Sequence, residues 1–588
     1  MWTRIVINEN TDPITFEVVR NGLDSLVDEM AITVMRTAYS GVVRDALDYS
    51  TAFCAADGQV IAQGLTIMLH LGSFPAAINS LLTKFEGRIN VGDVFILNDP
   101  YTSGGMHLPD VYIIKPVFAD KSLHGFVGVV AHQADMGGLV PGSNSTESVE
   151  IYQEGLRIPT LKLYDAGIPN EAIFDFIETN VRLPVQVRGD MRSQLAACDI
   201  GERAILDLIT HYGAENLNGY YDALLDYSEQ RARSEISALP DGVFEFEDFI
   251  DAENLEDGPV RIAVKLEIRG DEIFVDLDGS SPQVPAGINA PVPFTYAAVY
   301  GAIRLIMDPD IPNAAGYHRP IHISVPEGTV VNPVHPAPVA ARGITGFRTM
   351  DAVLGALAQA IPDRVPADGE GGNTLISIGG QRTDGSQYAL VDFFGGARGG
   401  GPTSDGAEGV SHPASNLANS PVEIMEVENP VVVDDYELIQ DSGGAGKFRG
   451  AQSYVKQITN LGDAATLQLR SDKRKFPPYG LQGGSTGSPS LNILNPGADE
   501  TLLPTLAQVR LERGGVIRHE MAGGGGWGDP LTRDPTAVLE DVLDGRVSIN
   551  SAKTEYGVVI SEPQNRLDQG ATDLLRSTML QQRESSNS

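Results

Sequence analysis

Cysteine is scarce. Only Cys54 and Cys198 occur in 588 residues, which excludes a disulfide framework and any metal site built from cysteine clusters. Long apolar runs are also missing. No stretch reaches the roughly 18 consecutive apolar residues of a membrane span. The opening Met1-Trp2-Thr3-Arg4-Ile5-Val6 lacks the apolar core of a secretory leader, so the cytoplasm is the expected location. Positive charge is in deficit, with 42 Lys+Arg against 78 Asp+Glu and a net charge of −36. No basic run extends beyond Asp472-Lys473-Arg474-Lys475. Such a chain repels nucleic acid and anionic membranes, and neither is an expected partner. A phosphate-binding loop is missing too. No GxxxxGK[ST] occurs, and no glycine cluster sits between a strand and a helix. The one GxSxG, Gly483 to Gly487, runs into Ser488-Pro489-Ser490, which reads as a turn rather than a nucleophile elbow.

What the chain has in plenty is glycine and proline. Gly 64 and Pro 36 together make about 17% of it, against roughly 12% in an average protein. Many tight turns and close backbone approaches follow. Asp12-Pro13 caps a helix whose apolar residues, Phe16, Val19, Leu23, Leu26, Val27, Met30, Val34 and Ala38, recur at helical spacing to about Tyr39. Asp57-Gly58 marks a hairpin within 51–63. A helix is expected over 73–87, then strands at 94–97, 111–114 and 126–130. Residues 170–238 read as mostly helical and 240–278 as antiparallel strands with one wet face. Helices follow at about 293–307 and 347–361. Residues 366–420 read as Gly-rich and irregular, 430–520 as short strands between Gly-rich turns. A short helix covers 535–543, and the chain from Gln581 to Ser588 reads as frayed. The expected class is α+β: N-terminal helices plus hairpins, central antiparallel sheets, and a strand-rich, Gly-rich C-terminal part. The expected regions are 1–239, 240–429, 430–530 and 531–588.

Two histidines stand out. His107 and Asp110 lie three apart on a loop entering a strand, and His132 ends the next strand. A tight turn near Asp120-Lys121-Ser122 pairs residues whose numbers sum to about 241–243, so Asp110 falls opposite His132 within a residue. Directly opposed Cβ atoms lie roughly 4.5–5.5 Å apart. Imidazole and carboxylate donors therefore converge, with His107 beside them, and such a set suits Zn²⁺ or Mn²⁺. The alternative is a hydrogen-bonded structural histidine, the commoner fate of a lone strand-end His. Asp48 precedes a strand, and by pattern alone it reads as a helix-exit or turn residue rather than a site acid. His70 can donate to a substrate or cap the helix that follows it.

The chain resembles the hydantoinase B family, whose relatives include the C-terminal half of 5-oxoprolinase and the large subunits of acetone and acetophenone carboxylases. The resemblance spans about Asp12 to Val558. It is carried by Asp12-Pro13-Ile14-Thr15-Phe16, Asp48-Tyr49-Ser50, His70-Leu71-Gly72-Ser73, Asn98-Asp99-Pro100-Tyr101, Gly105 to Asp110, Asn180-Val181-Arg182, Arg319-Pro320-Ile321, Asp441 to Gly446 and Gly526-Trp527-Gly528. It implies a divalent metal held by His107, Asp110, His132 and Asp48, with His70 and Asp135 as catalytic candidates, Asp135 as a base or a residue orienting a ligand. It also implies an A-type partner subunit that binds ATP and Mg²⁺, hence a hetero-oligomer. The implied reaction is ring opening of a phosphate-activated lactam or imide by metal-bound water. A ketone carboxylase subunit is the alternative from the same family, and a non-catalytic scaffold for the A subunit is the third reading. The compact length favours the hydrolase.

Overall fold

The computed structural model describes residues 12–586 apart from 254, 257, 371–373, 498, 562 and 564. The opening hexapeptide and the last two residues of the expected frayed tail lie outside that set. The N-terminal part is built on a seven-stranded sheet. Its spatial order is Val60–Gln63, Tyr49–Ala55, Ser122–His132, Asp110–Ala119, Val94–Leu97, Leu161–Asp165 and Ile168–Pro169, all antiparallel. The strand over Asp110–Ala119 is apolar on both faces because both are covered. Val111, Ile113 and Val117 face one core shared with the helices Pro13–Thr37 and Pro184–Tyr212. Tyr112 and Ile114 face a second core shared with the helices Val292–Leu305 and Gly343–Ala360. Asp12 caps the first helix by accepting from the Thr15 N–H at 2.9 Å, the role expected of an Asp before Pro.

The central sheet comprises Gly242–Ile250, Val260–Arg269, Glu272–Asp276 and Ile321–Ser324; the last pairing is parallel. Its buried face packs against Gly343–Ala360. That helix begins four residues before the expected start, because its first turn holds two glycines, Gly343 and Gly346, that weaken the helical signal. Gly346 is required there: a Cβ would overlap the Phe294 ring.

In the segment expected to be irregular, Leu375–Gln381 and Gln387–Phe393 form a hairpin. Gly379 and Gly380 lie within the first of these strands, where a side chain on Gly379 would strike Pro141. The hairpin pairs onward with Ala465–Arg470 and Leu506–Leu511, while a five-stranded sheet built on Val431–Leu438 and Tyr454–Asn460 lies beside it. The final helix, Gln569–Ser586, also runs further than expected. Arg583 anchors it, donating to Asp529 Oδ1 at 2.9 Å.

Much of the glycine excess lies in four strips, 396–401, 442–451, 478–488 and 522–528, laid side by side. The fourth is bonded to all the others: Gly524 N–H to Ala451 O at 3.0 Å, Gly526 N–H to Ser485 O at 2.8 Å, and Gly400 N–H to Gly525 O at 2.8 Å. At Gly450 an added Cβ would overlap the Gly524 carbonyl. Among the described residues no helix is long and apolar enough to cross a membrane.

Candidate metal centre

The strand register places Asp110 directly opposite His132. Their side chains project from the end of the sheet toward the central helices. Gly105 lets the preceding loop fold back, since a Cβ there would overlap the Asn98 carbonyl. Asn98 then pins that loop, its Nδ2 donating to Leu108 O at 2.7 Å and its Oδ1 accepting from Ile158 N–H at 2.6 Å. Asp99 accepts from the Tyr101 and Thr102 N–H groups and pairs with Arg157 at 2.7 Å. The Asn98-Asp99 motif is therefore loop architecture. Asp48 arrives through a left-handed residue, Leu47 with φ 61°. Its carbonyl accepts the His132 N–H at 3.0 Å, locking two site segments together.

His107, Asp110 and His132 are fully buried, and donor atoms from all three lie within 4.8 Å of one another. His107 Nδ1 lies 2.8 Å from the Ala340 carbonyl, which accepts only from an N–H. His107 Nε2 therefore carries a lone pair, and it faces Asp110 Oδ1 at 3.0 Å. Two acceptors at that distance repel unless a cation lies between them. Neither ring nitrogen of His132, nor His107 Nε2, nor Asp110 Oδ1 has a hydrogen-bond partner among the described residues. A neutral imidazole whose far N–H is held by a carbonyl is the usual state of a metal-ligating histidine. Two imidazoles and a carboxylate fit Zn²⁺ or Mn²⁺.

The electrostatics agree with that fit. Burial pushes the His107 pKa down to about 4, helped by Arg342, and burial likewise drives His132 well below its ordinary value. Both are neutral at pH 7, as ligands must be. Burial pushes Asp110 up, but Arg342, His107 and His70 hold it well below the usual carboxylate range. Burial and the Asp110 charge raise Asp48 to about 8. Asp48 therefore keeps its proton at pH 7 in the absence of a cation, and a divalent ion beside it would favour the carboxylate.

His70 lies between the two acids, its Nε2 3.5 Å from Asp48 Oδ1 and 3.8 Å from Asp110 Oδ2. Burial holds its pKa at about 4. Asp48 is not among the three residues whose donors converge within 4.8 Å; it meets them across His70. Asp48, His70, His107 and His132 line one cavity of about 40 Å³ with Arg342 and Arg470.

Asp135, the expected base or ligand-orienting residue, does not line this cavity. Its carboxylate accepts from the Gly137 and Gly142 N–H groups and from Arg182, at 2.8–3.1 Å. It closes a loop.

Arg342, Arg470 and Glu154 escaped the sequence reading. Arg342 pairs with Asp110 Oδ2. Arg470 donates to Asn144 Oδ1 at 3.4 Å and has no carboxylate within ion-pair distance among the described residues. Glu154 accepts from the Val339 and Ala340 N–H groups at 2.7 and 2.9 Å, fixing the carbonyl that orients His107. One signal was available for Arg342: it is a lone charge inside the apolar run from Ala337 to Phe347.

The family model described as hydantoinase B/oxoprolinase matches residues 12–530. The caprolactamase subunit beta of Pseudomonas jessenii is 34% identical over 577 residues, covering 95% of this chain and 98% of that one. The crystal structure of the ATP-dependent caprolactamase from the same organism superposes with a TM-score of 0.89 at 32% identity, over 97% of this chain and 100% of that chain. A nucleotide-free acetone carboxylase structure gives a TM-score of 0.90 over 98% of this chain and 84% of that chain, but at 20% identity it speaks to the fold alone. With a family model matched over most of its length, the chain belongs to the hydantoinase B/oxoprolinase family.

Proposed function

We propose that this chain is the metal-bearing subunit of an ATP-dependent cyclic amide hydrolase, which opens a lactam or imide ring. The observation that carries the reading is the set of unpartnered donors, with His107 Nε2 facing Asp110 Oδ1 at 3.0 Å beside His132. The likeness to caprolactamase subunit beta supports the substrate class and the need for an A-type partner that binds ATP and Mg²⁺.

His107, Asp110 and His132 would hold a Zn²⁺ or Mn²⁺ ion, with Asp48 as fourth ligand. A divalent ion there supplies Lewis-acid activation of water or of a substrate oxygen. The protein's own groups do the rest. Arg342 fixes Asp110 through an ion pair. Arg470, buried and without a carboxylate partner, faces the cavity where an oxyanion or a phosphoryl group would lie. His70, neutral and adjacent to both acids, moves the proton to the leaving nitrogen. Phe294, Phe347 and Phe393 wall the cavity and exclude bulk water.

The test is co-expression with an A-type partner. ATP-dependent loss of hydantoin, 5-oxoproline and caprolactam is then measured with and without chelator. The expected result is ring opening without bicarbonate, abolished by chelation. Turnover that needs bicarbonate and places its carbon in the product would replace the hydrolase by a carboxylase. Full turnover with His107→Ala would leave the chain a scaffold.

A further inference from the structure

A second cavity, of about 270 Å³, lies on the other side of Phe347 from the metal centre. The Phe347 ring walls the first cavity and sits 5.0 Å from the ring of His412, which lines the second. Of the carboxylates that line it, Asp351, Asp368 and Glu370 are buried and Asp405 is held by Arg533, while the buried Asp248, Asp472, Arg348 and Lys473 adjoin the first two from behind the lining. Donor atoms of Asp248, Asp351 and Asp368 lie within 4.8 Å of one another. A metal ion does not suit them, because protein cations already hold those oxygens. Lys473 Nζ donates to Asp351 Oδ2 at 2.9 Å and to Asp368 Oδ1 at 2.6 Å. Arg348 holds both Asp248 oxygens at 2.9–3.0 Å and Asp472 at 2.6 Å. His412 Nε2 donates to the remaining Asp351 oxygen at 2.7 Å, its Nδ1 accepting the Ala414 N–H.

Two oxygens are left over. Asp368 Oδ2 and Glu370 Oε2 are buried, belong to side chains lining the cavity, and have no hydrogen-bond partner among the described residues. Asp368 is 4% exposed and Glu370 1%. Burial raises their pKa values to about 8 and about 7, helped at Asp368 by the neighbouring Asp351 charge, although the other oxygen of each accepts a hydrogen bond, from Lys473 and from Thr374. Arg398 lines the same cavity. Its Nε donates to Ser411 O at 3.0 Å, and no carboxylate lies within ion-pair distance of it among the described residues. The two walls are stitched together by Glu370 N–H to Ala397 O at 2.7 Å and Ala367 N–H to Gly400 O at 2.8 Å. The side chains lining this one cavity thus include two orphan carboxylate oxygens and, among the described residues, a guanidinium with no carboxylate partner.

We propose that this cavity binds a small zwitterionic amino acid, its ammonium on Asp368 and Glu370 and its carboxylate on Arg398. An ammonium brings three donors and no acceptor, which satisfies two carboxylate oxygens at once. A guanidinium is the best-matched partner for a carboxylate. Hydrolytic opening of a lactam yields that chemical class, an amine and a carboxylate on one chain. The site, resting in this respect on the hydrolase reading, is a product site next to the metal centre.

The test titrates the full chain calorimetrically with 6-aminohexanoate and L-glutamate, and with hexanoate and hexylamine as half-ligands. The expected result is saturable binding of at least one zwitterion, with both half-ligands weaker by about tenfold or more, the scale of one charge-assisted hydrogen bond. Glu370→Gln and Arg398→Met each weaken the zwitterion by a similar factor, and His107→Ala leaves binding intact. If Glu370→Gln does not fold, Arg398→Met and the half-ligand series on the wild-type chain decide. No saturable binding overturns the proposal. So does equal binding of hexylamine and zwitterion, or loss of binding in His107→Ala, which would put the ligand at the metal centre. A tightly held Mn²⁺ equivalent that persists in His107→Ala would make the cavity a cation site instead. Zwitterion binding in a chain that shows no ATP-dependent ring opening would keep the site and discard the hydrolase.

Discussion

Replacing His132 by Ala separates a ligand from a structural histidine. Neither ring nitrogen has a protein partner among the described residues, so the substitution breaks no protein hydrogen bond. The ring is packed near His107, at 5.1 Å between centroids, and near Phe393 at 5.9 Å. The backbone position is held by the His132 N–H to Asp48 O bond at 3.0 Å, which the variant keeps. The folding cost should be a packing cost, about 1–3 kcal/mol. The metal cost is larger. A four-ligand zinc site binds with about 10–16 kcal/mol, so one ligand supplies about 3 kcal/mol and its loss weakens binding by about two orders of magnitude. The assay pairs elemental analysis and chelator competition with thermal unfolding of the same samples. His322→Ala is the control, since that side chain is 46% exposed and faces Glu272. Wild-type metal affinity in His132→Ala, or no stoichiometric Zn²⁺ or Mn²⁺ in the wild-type chain, would refute the reasoning.

Three further outcomes follow from the packing. Lys456 and Asp392 form an ion pair at 2.8 Å with both side chains 0% exposed. Lys456→Met should cost about 3–5 kcal/mol in urea unfolding, and adding Asp392→Leu should recover most of it, because the penalty is the stranded charge; a single-variant cost under about 1 kcal/mol would contradict this. Gly450→Ala should yield an insoluble or strongly destabilised chain, whereas Gly219→Ala, in the helix Ala214–Ile236 with open space around it, should be neutral or stabilising by up to about 1 kcal/mol; equal melting temperatures would be the contrary result. His519 is fully buried, its Nδ1 2.7 Å from Asn492 Oδ1, and burial lowers its pKa to about 3. The unfolded chain therefore takes the proton first as pH falls. His519 contributes stability above about pH 6.5 that is lost toward pH 3, at up to about 1.4 kcal/mol per pH unit. His519→Gln should flatten the acid limb of stability against pH, and an unchanged slope would argue against a buried neutral imidazole.

Local signals in the chain carried a large part of this structure. The Asp12-Pro13 cap, the apolar spacing to Val34 and the Asp57-Gly58 turn each act over a few residues, so they can be read from text. The pairing of Asp110 with His132 could be read because one tight turn sets the register of a whole hairpin. The strand over 375–381 could not, because it pairs onward with residues 465–470 and its Gly379 is fitted to Pro141, more than two hundred residues away. Arg470 and Glu154 come to the metal centre for the same reason: only packing between distant segments brings them there. Asp135 misled through its neighbour. It stands three residues from His132, yet the chain turns at that point and its carboxylate is taken by Arg182 and two glycine N–H groups.

The interleaved glycine strips have a consequence for how the chain is made. The last strip, 522–528, bonds to the other three, and Gly525 donates to the Asp368 carbonyl at 2.8 Å. The walls of the second cavity therefore wait for a segment synthesised about 150 residues later. Until it emerges, the loops around Asp368, Arg398 and His412 lack their native bonds, and the apolar strands that flank them stand open to wrong partners. The strand pairing of the N-terminal sheet, which closes among residues 49–169, is free of that delay. A nascent chain would thus set Asp110 opposite His132 early, and turn His107 toward them only once Ala340 had followed.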